Sequence, residues 1–117
     1  MKKNLFITGG SGQDGIILNK LFKRLKKFNL INIIDQKNKI KNKNSIIINL
    51  LNKKRIDQLF KSKKPYAVIH LGSKNPSIFE KSFKKFYKNN LLCTQNLFYS
   101  AFKNNNNVKF IFCNSSS

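Results

Sequence analysis

Thr8-Gly9-Gly10-Ser11-Gly12-Gln13-Asp14-Gly15 decides how this chain is read. The protein has five glycines, and four of them fall between residues 9 and 15. Just before the cluster, Asn4-Leu5-Phe6-Ile7-Thr8 is a short apolar run of the kind that forms a buried strand. Just after it, Ile17, Leu18, Leu21, Phe22, Leu25 and Phe28 recur at three- and four-residue steps, which predicts a helix with one apolar face. Between a strand and a helix the glycines have mechanical tasks. Gly9 permits a tight turn off the strand, Gly12 lets a pyrophosphate approach the backbone, and Gly15 lets helix and sheet pack closely. The helix N-terminus that follows adds unpaired N–H groups and partial positive charge to a phosphate site.

Further along, residues 30–34 read as a second strand ending at Asp35, which follows Gly15 by 20 residues. A carboxylate there accepts hydrogen bonds from both hydroxyls of an adenosine ribose and repels a 2′-phosphate, so the pattern predicts NAD, with NADP less favoured. Lys37 opposes that preference from two residues on. Residues 36–44 show neither helical nor strand period, and residues 45–48 form a short third strand. Ile56, Leu59 and Phe60 mark a helix that Pro65 is expected to end, before a fourth strand over 66–71. Phe79, Phe83, Phe86, Tyr87, Leu97, Phe98, Ala101 and Phe102 give one long helix or two in series, opening at a capping box from Ser77 to Glu80. The run 104–107, all asparagine, closes it, and residues 108–112 are a fifth strand. Nearly continuous apolar strands alternating with helices predict a doubly wound parallel α/β sheet in the order 3-2-1-4-5, forming one dinucleotide-binding domain over residues 1–117.

With 24 Lys plus Arg against 4 Asp plus Glu, the chain carries a net charge of +20. Lys, Asn, Ile and Phe together make 65 of the 117 residues, and all four have codons rich in A and T, which accounts for much of the lysine. The charge is spread along the chain, without zinc-ligand spacing, an RNP-like aromatic motif or a bZIP basic region. Specific nucleic-acid binding is therefore not expected, although a basic nucleic-acid-binding module and a non-catalytic NAD-binding fold remain the rival readings. No apolar run approaches a membrane span, the start is too short for a signal-peptide core, and Cys93 and Cys113 make no disulfide framework. A cytoplasmic protein without membrane or metal partners is expected. His70 lies inside an apolar strand, which favours a packed core histidine over a catalytic base, and both cysteines are expected to be buried as small hydrophobes.

The spacing T-G-x-x-G-x-x-G resembles the extended short-chain dehydrogenase/reductase family, which contains the NAD-dependent nucleotide-sugar epimerases and dehydratases, and the likeness runs over the whole chain. Gly12-Gln13-Asp14-Gly15 is most similar to the GDP-mannose 4,6-dehydratase branch. Val68-Ile69-His70-Leu71-Gly72-Ser73 resembles the fourth-strand segment V-I-H-L-A-A, whose loop runs beside the cofactor. Asn89-Asn90-Leu91-Leu92-Cys93-Thr94 is similar to the helix motif N-V-x-G-T, with Asn90 on its asparagine. Phe110-Ile111-Phe112-Cys113-Asn114-Ser115-Ser116-Ser117 resembles the fifth strand and its serine-rich end, with Ser115 on the catalytic Ser/Thr.

The resemblance implies a Rossmann-type domain that holds NAD through Gly9, Gly12, Gln13, Asp14, Gly15, Asp35, Asn49, Leu50, Leu71, Gly72, Ser73 and Asn90. Asn49 stands where the family has an adenine-contacting Asp, and Ser117 stands where the dehydratases have a Glu. It implies hydride transfer at a carbon of a nucleotide-sugar substrate, with Ser115 bonding the reacting oxygen, and it allows a homodimer in the complete protein. The family's Tyr-x-x-x-Lys pair is expected a little over twenty residues beyond Ser115. Tyr99 and Lys103 share that spacing but precede the serine strand. The carboxyl-terminal half of the family fold is thus expected to lie outside these residues, and the chain alone is expected to be inactive.

Overall fold

The computed structural model describes residues 2–9, 13–34, 45–71 and 83–113, with the side chains of 13, 14 and 83–87 left aside. Eight elements follow one another: β1 (Lys3–Thr8), α1 (Gln13–Leu25), β2 (Phe28–Ile34), β3 (Ser45–Ile47), α2 (Lys53–Ser62), β4 (Pro65–Leu71), α3 (Phe83–Asn104) and β5 (Lys109–Cys113). The strands form a single sheet in the order β3-β2-β1-β4-β5, every neighbouring pair parallel. This is the Rossmann-like arrangement that the alternation of apolar runs predicts.

Side-chain alternation along the strands divides the core into two layers. On one face Phe6, Ile31, Ile33 and Val68 meet Ile56 and Phe60 of α2 and Leu97 and Ala101 of α3. The rings of Phe6 and Phe60 cross edge-on at 4.8 Å. On the other face Leu5, Ile7, Leu30, Ala67 and Ile69 are covered by Leu18 and Phe22, with Phe28 and Tyr66 alongside.

Three local expectations are corrected. Phe28 does not extend the apolar face of α1: Lys26 takes a left-handed conformation, φ 53°, which ends the helix, and Phe28 begins β2. Its ring there meets Phe22 at 5.7 Å and Tyr66 at 5.9 Å. Pro65 is the first residue of β4 rather than a helix terminator, a position where a missing N–H is tolerated. The helix before it has already stopped at Ser62, where the Lys63 N–H bonds the Leu59 carbonyl at 2.8 Å. Cys113, expected to be buried, is exposed on β5, and Cys93 is half-buried. The capping box at Ser77 to Glu80 lies outside the described residues.

Asparagine does much of the local fastening. Asn52 caps α2 by accepting from the Arg55 N–H at 3.2 Å. Asn105 turns the chain from α3 into β5, donating to the Pro65 carbonyl at 2.8 Å while its own Oδ1 accepts from the Asn107 N–H at 3.0 Å. Among the described residues, no helix is long and apolar enough to cross a membrane.

Candidate functional site

The chain leaves β1 toward β2 and β3 on one side of the sheet, then returns to β4 and β5 on the other. The carboxyl ends of β1 and β4 therefore flank the point where the strand order reverses, the place where open parallel sheets bind ligands. Thr8 and His70 are register partners at that point.

Gly9 follows at once, with φ +74°, and a Cβ on it would sit 3.1 Å from both the Cβ and the carbonyl oxygen of Leu71. Both the positive φ and the close approach to β4 require glycine here. The turn then leads into α1, whose first residue is Gln13. Gly15 is buried, and its carbonyl accepts from Asn19 Nδ2 at 2.8 Å.

Asn19 also exchanges two amide bonds with Asn32 of β2: Asn19 Nδ2 donates to Asn32 Oδ1 at 3.0 Å, and Asn32 Nδ2 donates to Asn19 Oδ1 at 2.8 Å. The inward stripe of α1 is therefore Gly15, Leu18, Asn19 and Phe22, at helical spacing. Ile17 and Leu21, read from periodicity as part of that stripe, are 58% and 51% exposed.

His70 joins three elements. Its Nδ1 lies 2.5 Å from Thr8 Oγ1, and its Nε2 lies 3.1 Å from Thr94 Oγ1 on α3. The Thr94 hydroxyl in turn donates to the Asn90 carbonyl at 3.0 Å. The ring is 6% exposed and tilts against Phe112 with centroids 5.2 Å apart. Burial pushes its pKa from 6.5 down to about 4, so it is neutral at physiological pH.

At the end of β3, Asn49 is exposed and its Oδ1 accepts from the Leu51 N–H at 2.9 Å, forming a turn within its own segment. The Leu50 carbonyl accepts from Asn96 Nδ2 at 2.9 Å, which ties this corner to α3. Leu71 is half-buried at the end of β4, and Asn90 is half-buried on α3.

Of the residues expected to form the site, Gly9 and Leu71 are in direct apposition, and Gly15, Asn49, Leu50 and Asn90 have the placements just given. Gly12, Asp35, Gly72, Ser73 and Ser115 lie outside the described residues, as do the side chains of Gln13 and Asp14. Asn19, Asn32 and Thr94 were missed by sequence reasoning. The asparagines sit among apolar positions that suggest only packing, and Thr94 had a signal in the N-V-x-G-T likeness, whose threonine it matches. Tyr99 is 59% exposed on α3. Among the described residues no group of three or more His, Cys, Asp or Glu is placed to hold a metal ion.

A glycine cradle that a Cβ would fill, at the switch point and ahead of a helix N-terminus, suits a dinucleotide's pyrophosphate. Known structures share the architecture. UDP-glucose 4-epimerase from Thermotoga maritima, solved with UDP-glucose, is 24% identical over 93% of this chain and 37% of its own, with a TM-score of 0.75. UDP-glucose 4-epimerase from Brucella ovis, in complex with NAD, is 22% identical over 94% of this chain and 35% of its own, TM-score 0.75. A GDP-mannoheptose C4 reductase from Campylobacter jejuni with NADP bound is 21% identical over 95% and 32%, TM-score 0.71. The chain thus spans about a third of the length of these proteins. Comparison with curated proteins gave no match. The family model of the NAD dependent epimerase/dehydratases matches residues 5–117, nearly the whole sequence. This chain belongs to the NAD dependent epimerase/dehydratase family.

Proposed function

We propose that residues 1–117 form one cofactor-binding domain of an enzyme that epimerises or dehydrates a nucleotide sugar, with NAD preferred over NADP. The observation that carries this reading is Gly9, which turns at φ +74° against Leu71 at the switch point of a parallel sheet. The family supports the enzyme class, and the two UDP-glucose 4-epimerases and the GDP-mannoheptose C4 reductase among the solved relatives are named for UDP- or GDP-linked sugars.

In this reading Gly9 makes the turn off β1, Gly12 lets the backbone approach the pyrophosphate and Gly15 lets α1 pack close to the sheet, while the first turn of α1, from Gln13 and Asp14, offers its N–H groups. Asp35 accepts from the adenosine ribose hydroxyls. Asn49 and Leu50 border the adenine, with the Asn49 amide nitrogen as the donor left over from its turn. Leu71, Gly72 and Ser73 run beside the cofactor, and Asn90 braces the site from α3. The chemistry a bound nicotinamide would supply is transient acceptance of a hydride from a carbon of the sugar. Ser115 holds the reacting oxygen by a hydrogen bond, fixing that carbon's orientation.

Titration of NAD and NADP into the wild type and Asp35→Ala tests this directly. NAD is expected to bind the wild type more tightly, and the substitution to cost about 1.5–3 kcal/mol of NAD binding while relaxing the discrimination. Equal affinities in the wild type, or an unchanged NAD affinity in the variant, would show that the ribose does not sit at Asp35.

A further inference from the structure

We infer that Thr8, His70 and Thr94 form a one-directional hydrogen-bond chain in which His70, as its neutral Nε2–H tautomer, is a positioning residue for the cofactor loop. The direction follows from proton counting. A threonine hydroxyl has one proton, and that of Thr94 is given to the Asn90 carbonyl. Thr94 Oγ1 can then only accept from the imidazole, so the ring proton lies on Nε2. Nδ1 is left as a bare acceptor, and the Thr8 hydroxyl donates to it.

Each end of the chain touches the proposed binding surface. Thr8 is the residue before Gly9, so its side chain fixes the point from which the glycine turn departs. His70 is the residue before Leu71, the wall on which Gly9 rests. Because α3 returns the chain from the carboxyl end of β4 to the start of β5, Asn90 stands one turn, roughly 5.4 Å, nearer the binding edge than Thr94. The chain therefore locks three separate elements at the same edge of the sheet, and it does so without a formal charge. A buried neutral imidazole needs one donor and one acceptor partner, and here Thr8 of β1 and Thr94 of α3 supply them from two separate elements. This inference rests on the cofactor reading for its consequence, though the direction of the chain stands on its own geometry.

The test joins ring ¹⁵N spectra of His70 to NAD titration of the full chain. In the wild type at neutral pH, Nε2 is expected to carry the proton and Nδ1 to be bare. Thr94→Val removes the acceptor while preserving shape, and should switch the ring to the Nδ1–H tautomer, now donating to Thr8. His70→Phe removes both bonds, and both variants should weaken NAD about tenfold. His70→Asn, whose Oδ1 overlays Nδ1 and can still accept from Thr8, should recover part of that loss. An Nδ1–H tautomer or an imidazolium in the wild type overturns the chain. Unchanged NAD affinity in both Thr94→Val and His70→Phe overturns the positioning role. Should His70→Phe fail to fold, the wild-type spectrum and Thr94→Val still decide. A wild type that binds no NAD refutes the cofactor reading instead, and the tautomer is then judged from the spectrum alone.

Discussion

Asn19 on α1 and Asn32 on β2 hold each other by both amides, at 3.0 and 2.8 Å, in a face of the sheet otherwise packed with aliphatic and aromatic side chains. The pair ties α1 to β2, and the bond from Asn19 Nδ2 to the Gly15 carbonyl, one turn back on the same helix, holds the amide in the orientation that faces Asn32. The end of the glycine loop is thereby set by a contact one helical turn further on.

Removing one member strands the other. Asn32 is 4% exposed, and Asn32→Leu leaves Asn19 with one amide proton and its Oδ1 unmatched, so a loss of about 2 kcal/mol is expected in urea unfolding. Replacing both residues by leucine should cost less than that single change, since no amide is then left unpaired. A double variant whose loss equals the sum of the two singles would show that the amides do not act as a unit.

Gly9→Ala places a methyl group 3.1 Å from the Leu71 Cβ and carbonyl oxygen, on a backbone already at φ +74°. A destabilisation of about 2 kcal/mol is expected. Chemical denaturation measures it, and a loss below a few tenths would mean the turn relaxes freely.

Lys26 offers the opposite opportunity. It ends α1 at φ 53° with a side chain that disfavours that conformation. Lys26→Gly should therefore raise stability by about 1 kcal/mol, read as an increase in the urea midpoint at constant slope.

The pH dependence follows from His70. Its folded pKa of about 4 lies below the unfolded value of 6.5, so between those values the unfolded chain binds more protons than the folded one. Stability from this group is complete above about pH 6.5, declines as the pH falls, and has lost about 3 kcal/mol by pH 4. His70→Phe should abolish this segment of the pH profile. A wild-type profile that stays flat from pH 7 to 4.5 would show that the ring is not held neutral.

Strand order, helix alternation and the glycine turn were legible because each depends on a repeating pattern: apolar runs for parallel strands, three- and four-residue steps for helices, and a glycine cluster where backbone must pass close. What was not legible depends on two residues meeting across the sheet. Asn19 and Asn32 are polar letters within apolar stripes, and only their apposition explains them. Of the apolar stripe read for α1, Leu18 and Phe22 face the core, while Ile17, Leu21 and Leu25 are exposed; hydrophobicity alone weights those three above Asn19. Phe28 kept the helical step by coincidence, and a backbone dihedral at Lys26, invisible in composition, assigned it to the strand. For the site, the likeness of V-I-H-L and N-V-x-G-T marked the segments of His70 and Thr94, but not that the two side chains touch.

The placement of β1 has a consequence for how the chain assembles. β1 precedes the other described strands in sequence yet lies in the middle of the sheet, with Phe6 beside Ile31 on one side and Val68 on the other. Its pairing with β2 spans about 25 positions, whereas Thr8 reaches His70 only after 62. Closing the longer loop costs more chain entropy, and by topology it must wait for the shorter unit or form with it. During that interval the inner edge of β1 displays unpaired peptide groups flanked by Leu5 and Ile7, a surface that another nascent chain can capture. Substitutions in α2 that delay the pairing of residues 65–71 with β1 should therefore lower recovery from refolding before they lower equilibrium stability.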